Sequence, residues 1–98
     1  MTRTVYLNGE YVSENEAKIS VFDRGFLMAD AVYEVTSVLD GKLIDFKGHA
    51  KRLNRSLDEL DMKKPISYEE LLAVHRELVR VNNIDEGLVY LQLSLIHI

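Results

Sequence analysis

The sequence predicts an α+β fold, an antiparallel sheet with two helices. Two Asx-Gly dipeptides, Asn8-Gly9 and Asp40-Gly41, each separate extended-looking segments, and such dipeptides are the strongest short-range hairpin signal because a type I′ turn needs positive φ at both central residues. Apolar residues then step by three and four over two segments, the helical period. A last apolar run, Leu88 to Leu93, follows Gly87 and reads as a strand.

Val5-Tyr6-Leu7 and Tyr11-Val12 form the arms of the first hairpin. The polar stretch 13–18 reads as loop, Ile19 to Phe22 as a short strand, and Asp23-Arg24-Gly25 as the turn that breaks it. Ala31 to Leu39 is a long strand with Ala31, Tyr33, Val35, Ser37 and Leu39 on one face and Val32, Glu34, Thr36 and Val38 on the other. Lys42 to Phe46 is its expected return strand. Phe46, Ala50, Leu53, Leu57 and Leu60 make one helical stripe, with Gly48 a weak point and Lys63-Lys64-Pro65 the terminator. Ser67 and Glu70 have the spacing of a capping box, with Ile66 and Leu71 as its staple. The second helix is expected to bury Leu71, Val74, Leu78 and Val81 and to stop at Asn82-Asn83.

With 98 residues and 47% hydrophobic content, the chain fits one domain with a packed core. Twelve basic residues against sixteen acidic give a net charge of −4 with no basic cluster, which argues against nucleic acid or an anionic membrane as partner. The absence of cysteine removes disulfides and thiolate chemistry. The longest uninterrupted apolar runs span four residues, against about 20 for a membrane helix. A cytoplasmic protein is the expectation.

Few residues carry chemistry on their own. His49 and Arg52 share a face at the start of the first helix. Arg52 reads either as an anion clamp, its fork suiting phosphate or carboxylate, or as a solvated arginine whose stem covers the core edge. His49 reads as a surface or capping residue, His75 as structural. Tyr33 reads as a core residue with its hydroxyl at the rim. Glu34 on a strand face asks for a partner, an arginine such as Arg24. No metal spacing, phosphate-cradling glycine loop or Ser-His-Asp order is visible.

Taken in order, these motifs resemble a known family. The runs Val5-Tyr6-Leu7-Asn8-Gly9-Glu10, Ile19 through Phe26, Asp30-Ala31-Val32-Tyr33-Glu34-Val35 and His49-Ala50-Lys51-Arg52-Leu53 resemble the N-terminal domain of class IV (fold type IV) pyridoxal-phosphate aminotransferases, nearest to the D-amino-acid (D-alanine) branch. The likeness covers about residues 4–92. It implies an α/β two-domain homodimer with pyridoxal 5′-phosphate and substrate held between the domains. By the resemblance, Arg52 matches the arginine that binds the cofactor phosphate. Tyr33 matches a strand tyrosine lining the substrate pocket, Val35 borders the substrate side chain, and His49 is a supporting residue.

The sequence departs from the family in two places. Ala29 and Ala31 flank Asp30 where many relatives carry glycines, which narrows the pocket or shifts the backbone. Residues 93–98 do not match the family's substrate-carboxylate segment and read as a tail from a truncated gene end. The family's Schiff-base lysine, which also shuttles the α-proton, lies beyond residue 98. Lys18, Lys42, Lys47, Lys51, Lys63 and Lys64 fall in turns, loops or outer helix faces. The resemblance therefore implies a full-length protein that exchanges a D-amino acid with a 2-oxo acid, and a 98-residue chain inactive alone. Branched-chain aminotransferase and aminodeoxychorismate lyase share these motifs. A non-catalytic α+β binding or assembly module is the alternative from another class.

Overall fold

The computed structural model describes residues 2–21 and 31–94. Strands β1 (Thr4–Leu7) and β2 (Glu10–Ser13) pair antiparallel as a separate two-stranded sheet. Asn8 and Gly9 turn the chain at φ 50 and 92, as the type I′ geometry requires. Tyr6 and Tyr11 face each other across this hairpin, edge to face at 5.0 Å. No strand forms over Ile19–Val21, contrary to expectation; Ile19 and Val21 are exposed, so they have no apolar surface to pair against. Phe22 and the turn Asp23-Arg24-Gly25 lie outside the described residues.

The main sheet has the order β4-β3-β5, all antiparallel, with β3 Ala31–Leu39, β4 Lys42–Leu43 and β5 Glu86–Ser94. The return strand β4 is only two residues long, because the chain enters helix α1 (Phe46–Glu59) at Phe46. Asp45 makes that corner in the left-handed region (φ 53), a conformation tolerated mainly by Gly, Asn and Asp. β5 pairs with all of β3, from Ala31↔Ser94 to Leu39↔Glu86. It continues through Leu93, which packs against the main core.

Helix α1 buries Phe46, Ala50, Leu53 and Leu57 as its spacing predicts, whereas Leu60 is its exposed C-cap. Helix α2 (Tyr68–Val81) opens as predicted. Ser67 Oγ accepts the Glu70 amide proton and donates to Glu70 Oε1, both at 3.2 Å. Both helices close the same way. Met62 N–H reaches Leu57 O and Ile84 N–H reaches Val79 O, after Asp61 (φ 54) and Asn83 (φ 52). These are Schellman closures in which Asp and Asn take the place usually held by glycine.

The fully buried face of α2 is Leu71, His75 and Val79, a quarter-turn from the predicted stripe. Val74 and Leu78 are only half-buried and line the space toward β1, Tyr6 and Leu7. One apolar stripe could not reveal that the helix serves two sheets at once. The core joins Val32, Phe46, Ala50, Leu53, Leu57 and Leu71, with Val38, Val79 and Val89 as a second cluster and Leu43 touching both. Burying a side chain such as Leu57, 1% exposed, contributes roughly 1.5–3 kcal/mol.

The helices cover the face of β3 that carries Val32, Glu34, Thr36 and Val38, all 7% exposed or less. Tyr33, expected in the core, stands on the open face at 65% exposure. The pleat forces this choice: three of these positions are β-branched apolar or threonine side chains suited to helix packing, and the alternate positions go with Tyr33 to the other side.

Candidate functional site

Glu34 is the centre of the candidate site. It sits mid-strand on the helix-covered face of β3, and its side chain is 7% exposed. A buried carboxylate costs several kcal/mol unless it is hydrogen-bonded and paired. Helix α1 supplies both partners from one face, three residues apart. Arg52 Nε donates to Glu34 Oε2 at 2.9 Å and Arg52 Nη2 to Oε1 at 2.8 Å, a fork-to-carboxylate pair. His49 Nδ1 lies 2.8 Å from the same Oε1. Because Glu34 is ionised, Nδ1 carries the proton and donates it. The 3.3 Å approach of Arg52 Nη2 to His49 Nδ1 is then two donors crowded around one shared oxygen. His49 Nε2 is then the ring's acceptor nitrogen when the imidazole is neutral, and it makes no hydrogen bond among the described residues.

Charge and geometry agree here. The Arg52 hydrogen bonds hold the Glu34 carboxyl below the usual carboxylate range against the opposing effect of burial, with His49 adding to the depression. Glu34 in turn raises Arg52, with Asp45 and Tyr33 contributing at longer range. The partner of Glu34 is thus Arg52 together with His49; Arg24 lies outside the described residues. The Arg52 side chain remains 56% exposed. Its Nη1, with two N–H donors, makes no hydrogen bond among the described residues. That is the donor set an anion would use.

Tyr33 and Val35 stand on the opposite face of β3 from this cluster, as successive strand residues must. Tyr33 stacks against Tyr90 of β5, rings 6.1 Å apart and 19° from parallel. Leu88, paired with Ser37, and Tyr90, paired with Val35, extend an exposed apolar strip on that side. The predicted residues therefore fall into two groups on the two sides of one strand, Arg52 with His49 and Tyr33 with Val35. The sequence reading missed Glu34 as the hub and Tyr90 as the stacking partner. The i, i+3 basic pair on α1 against a lone acid at a covered strand position was the available signal for the first. Cross-strand register, which the sequence does not print, was needed for the second.

His75 is structural as expected: 3% exposed, its Nδ1 donating to Leu71 O at 2.8 Å and its ring edge-to-face with Phe46 at 4.8 Å. Burial pushes its pKa down. All six lysines are exposed, so none sits where burial would convert it into an amine nucleophile. Among the described residues no group of three His, Asp or Glu side chains converges to hold a metal. No described helix is long and apolar enough to cross a membrane.

Comparison with known proteins gives one consistent result. The family model "Amino-transferase class IV" matches residues 31–96. D-alanine aminotransferase from Staphylococcus haemolyticus is 43% identical over 88 residues, 90% of this chain and 31% of that protein. A putative branched-chain-amino-acid aminotransferase from Methanocaldococcus jannaschii is 40% identical over 87 residues, 89% of this chain and 30% of that protein. In three dimensions the chain is similar to a T.th. branched-chain amino acid aminotransferase solved with pyridoxamine 5′-phosphate: TM-score 0.86, 26% identity, 94% of this chain and 32% of that one. The chain thus spans about a third of the length of the proteins it matches.

Proposed function

The chain belongs to the class IV aminotransferases, and from that premise we propose that it is the small N-terminal domain, residues 1–92, of a pyridoxal-phosphate enzyme. That enzyme would move an amino group between a D-alanine-like amino acid and a 2-oxo acid. The observation that carries the reading is Arg52, anchored to Glu34 through Nε and Nη2 while its side chain stays 56% exposed and Nη1 makes no hydrogen bond among the described residues. A phosphate monoester carries three acceptor oxygens and close to two negative charges, and the outward edge of a guanidinium matches it.

In this reading Arg52 binds the phosphate of pyridoxal 5′-phosphate and His49 supports it through the shared carboxylate. The bound cofactor supplies an electron-withdrawing ring that stabilises charge at the substrate α-carbon. Tyr33 and Val35 border the substrate, with Tyr33 held upright by its stack on Tyr90. The six exposed lysines make poor proton carriers for this chemistry, so the 98-residue chain is inactive by itself, and the catalytic lysine belongs to a longer product. We place that product in the cytoplasm as a homodimer, acting on small amino and oxo acids without nucleic acid or membrane.

The D-alanine assignment is favoured by the 43% identity to a D-alanine aminotransferase. A branched-chain reading draws on the 40% identical archaeal relative. Purified complete gene product, mixed with pyridoxal 5′-phosphate, a 2-oxo acid and either D-alanine or L-leucine, tests both. Turnover of D-alanine is expected; preference for L-leucine would move the assignment to the branched-chain group, and turnover of neither would refute it. Arg52→Ala should weaken pyridoxal 5′-phosphate binding roughly 10- to 100-fold, the scale for losing charge-assisted hydrogen bonds. An unchanged dissociation constant would remove Arg52 from the site.

A further inference from the structure

We propose that Glu34 is a positioning residue for phosphate binding: its buried carboxylate fixes the guanidinium of Arg52 so that Nη1 points outward, and its charge is directed inward. This inference rests on the reading of Arg52 as the phosphate anchor. Two opposing effects decide the sign. A carboxylate close to an anion site repels the anion, so electrostatics alone would have Glu34 weaken phosphate binding. Against that, an arginine that is 56% exposed has many rotamers to lose when it engages a ligand.

The geometry favours positioning. Among the described residues, the three hydrogen bonds to the Glu34 carboxylate come from donors on α1, two of them from Arg52, and they occupy both carboxylate oxygens. The carboxylate cannot swing away. Phe46, Leu53, His75 and Leu91 line with it a space of only about 10 Å³, at the lower limit for a single water. Glu34 is itself held by a strand paired along its whole length with β5. The chain Glu34 to Arg52 therefore transfers the rigidity of the sheet to a long side chain on the rim. A bidentate contact also selects one face of the guanidinium, which a lone positive charge on a flexible stem would not do.

Glu34→Gln in the complete gene product tests this. Glutamine keeps the size and one acceptor but places an NH₂ against Arg52 or His49, so the fork loses one tooth. Affinity for pyridoxal 5′-phosphate should fall roughly tenfold, the scale for one charge-assisted hydrogen bond. Affinity for pyridoxal, which lacks the phosphate, should not change. The Arg52 Nε–H resonance of the cofactor-free protein should lose its protection from solvent exchange. Unchanged or tighter pyridoxal 5′-phosphate binding overturns the proposal, as does equal loss for both compounds, which would mark a merely structural role. If Glu34→Gln does not fold, Arg52→Lys keeps the buried carboxylate and the charge but removes the fork. The same phosphate-selective loss is then expected, and wild-type affinity overturns the proposal. Failure of Arg52→Ala to weaken binding would instead sink the underlying anchor reading, so the two failures are distinguishable.

Discussion

Asn82 should decide whether the first hairpin stays docked. Its side chain accepts the Thr4 amide proton at Oδ1 (2.8 Å) and donates from Nδ2 to Thr4 O (2.9 Å) and to Leu78 O (2.8 Å). In effect it acts as one residue of a neighbouring strand, tying β1 to the end of α2 across 78 positions of sequence. Asn82→Ala removes all three bonds and leaves the Thr4 backbone groups half-buried without them. Each is worth roughly 0.5–1.5 kcal/mol net, and water can reach part of the site, so a total of about 2 kcal/mol is expected. A lone two-stranded hairpin is at best marginally stable. That loss should therefore appear as local opening, with protection of the β1 and β2 amides from hydrogen exchange falling roughly 30-fold. Amides of β3 and β5 should be unaffected. Asn82→Asp retains the acceptor but turns the donor into a second acceptor facing two carbonyls, and should be at least as damaging. Unchanged hairpin protection in both variants would show that the apolar contacts of Tyr6 and Leu7 with α2 carry the docking.

Two further outcomes follow from other parts of the fold. A Cβ at Gly48 would meet the Asp45 carboxylate at 2.5–2.8 Å, yet Asp45 is exposed and its side chain makes no capping bond, so it can turn aside. The helix preference for alanine, up to about 1 kcal/mol, should then win. Gly48→Ala is expected to raise the melting temperature by a few degrees, and a lowered one would show that the carboxylate contributes more where it sits, over the positive end of α1. Burial depresses His75, so the unfolded chain binds the extra proton first as pH drops. Its contribution to stability is complete above the ordinary value near 6.5 and is lost as pH falls from there through the lowered folded value. The urea midpoint should decline from pH 7.5 to 5.5 in the natural chain and decline less in His75→Leu; equal slopes would refute the assignment.

The legible parts of the fold were those set by neighbours in sequence. The Asn8-Gly9 and Asp40-Gly41 turns, the Ser67–Glu70 cap and the Phe46-to-Leu57 stripe each depend on residues within a turn or two of one another. What escaped was set at a distance. Lys42–Phe46 looked like a full return strand, but Phe46 is drawn into the helical core beside Ala50 and Tyr68. Tyr33 looked like core, but the side of β3 that the helices cover was decided by Val32, Thr36 and Val38. Asn82 read only as a helix stop, and nothing near it in sequence announces Thr4. Arg52 and His49 were legible as a pair because they are helical neighbours. Their dependence on Glu34 joins two elements, and only folding brings those together.

The turn at Asp40-Gly41, with φ values of 55 and 72, has a reach its position does not suggest. It locks Leu39 opposite Lys42, and so reinforces the facing that Val32, Thr36 and Val38 favour along β3. A slip of one place would send Glu34 out into water and drive Tyr33 among the leucines. A turn outside the Glu34 cluster thereby helps to fix which chemistry this strand shows to each side, and damage there would read as a binding defect with no binding residue touched.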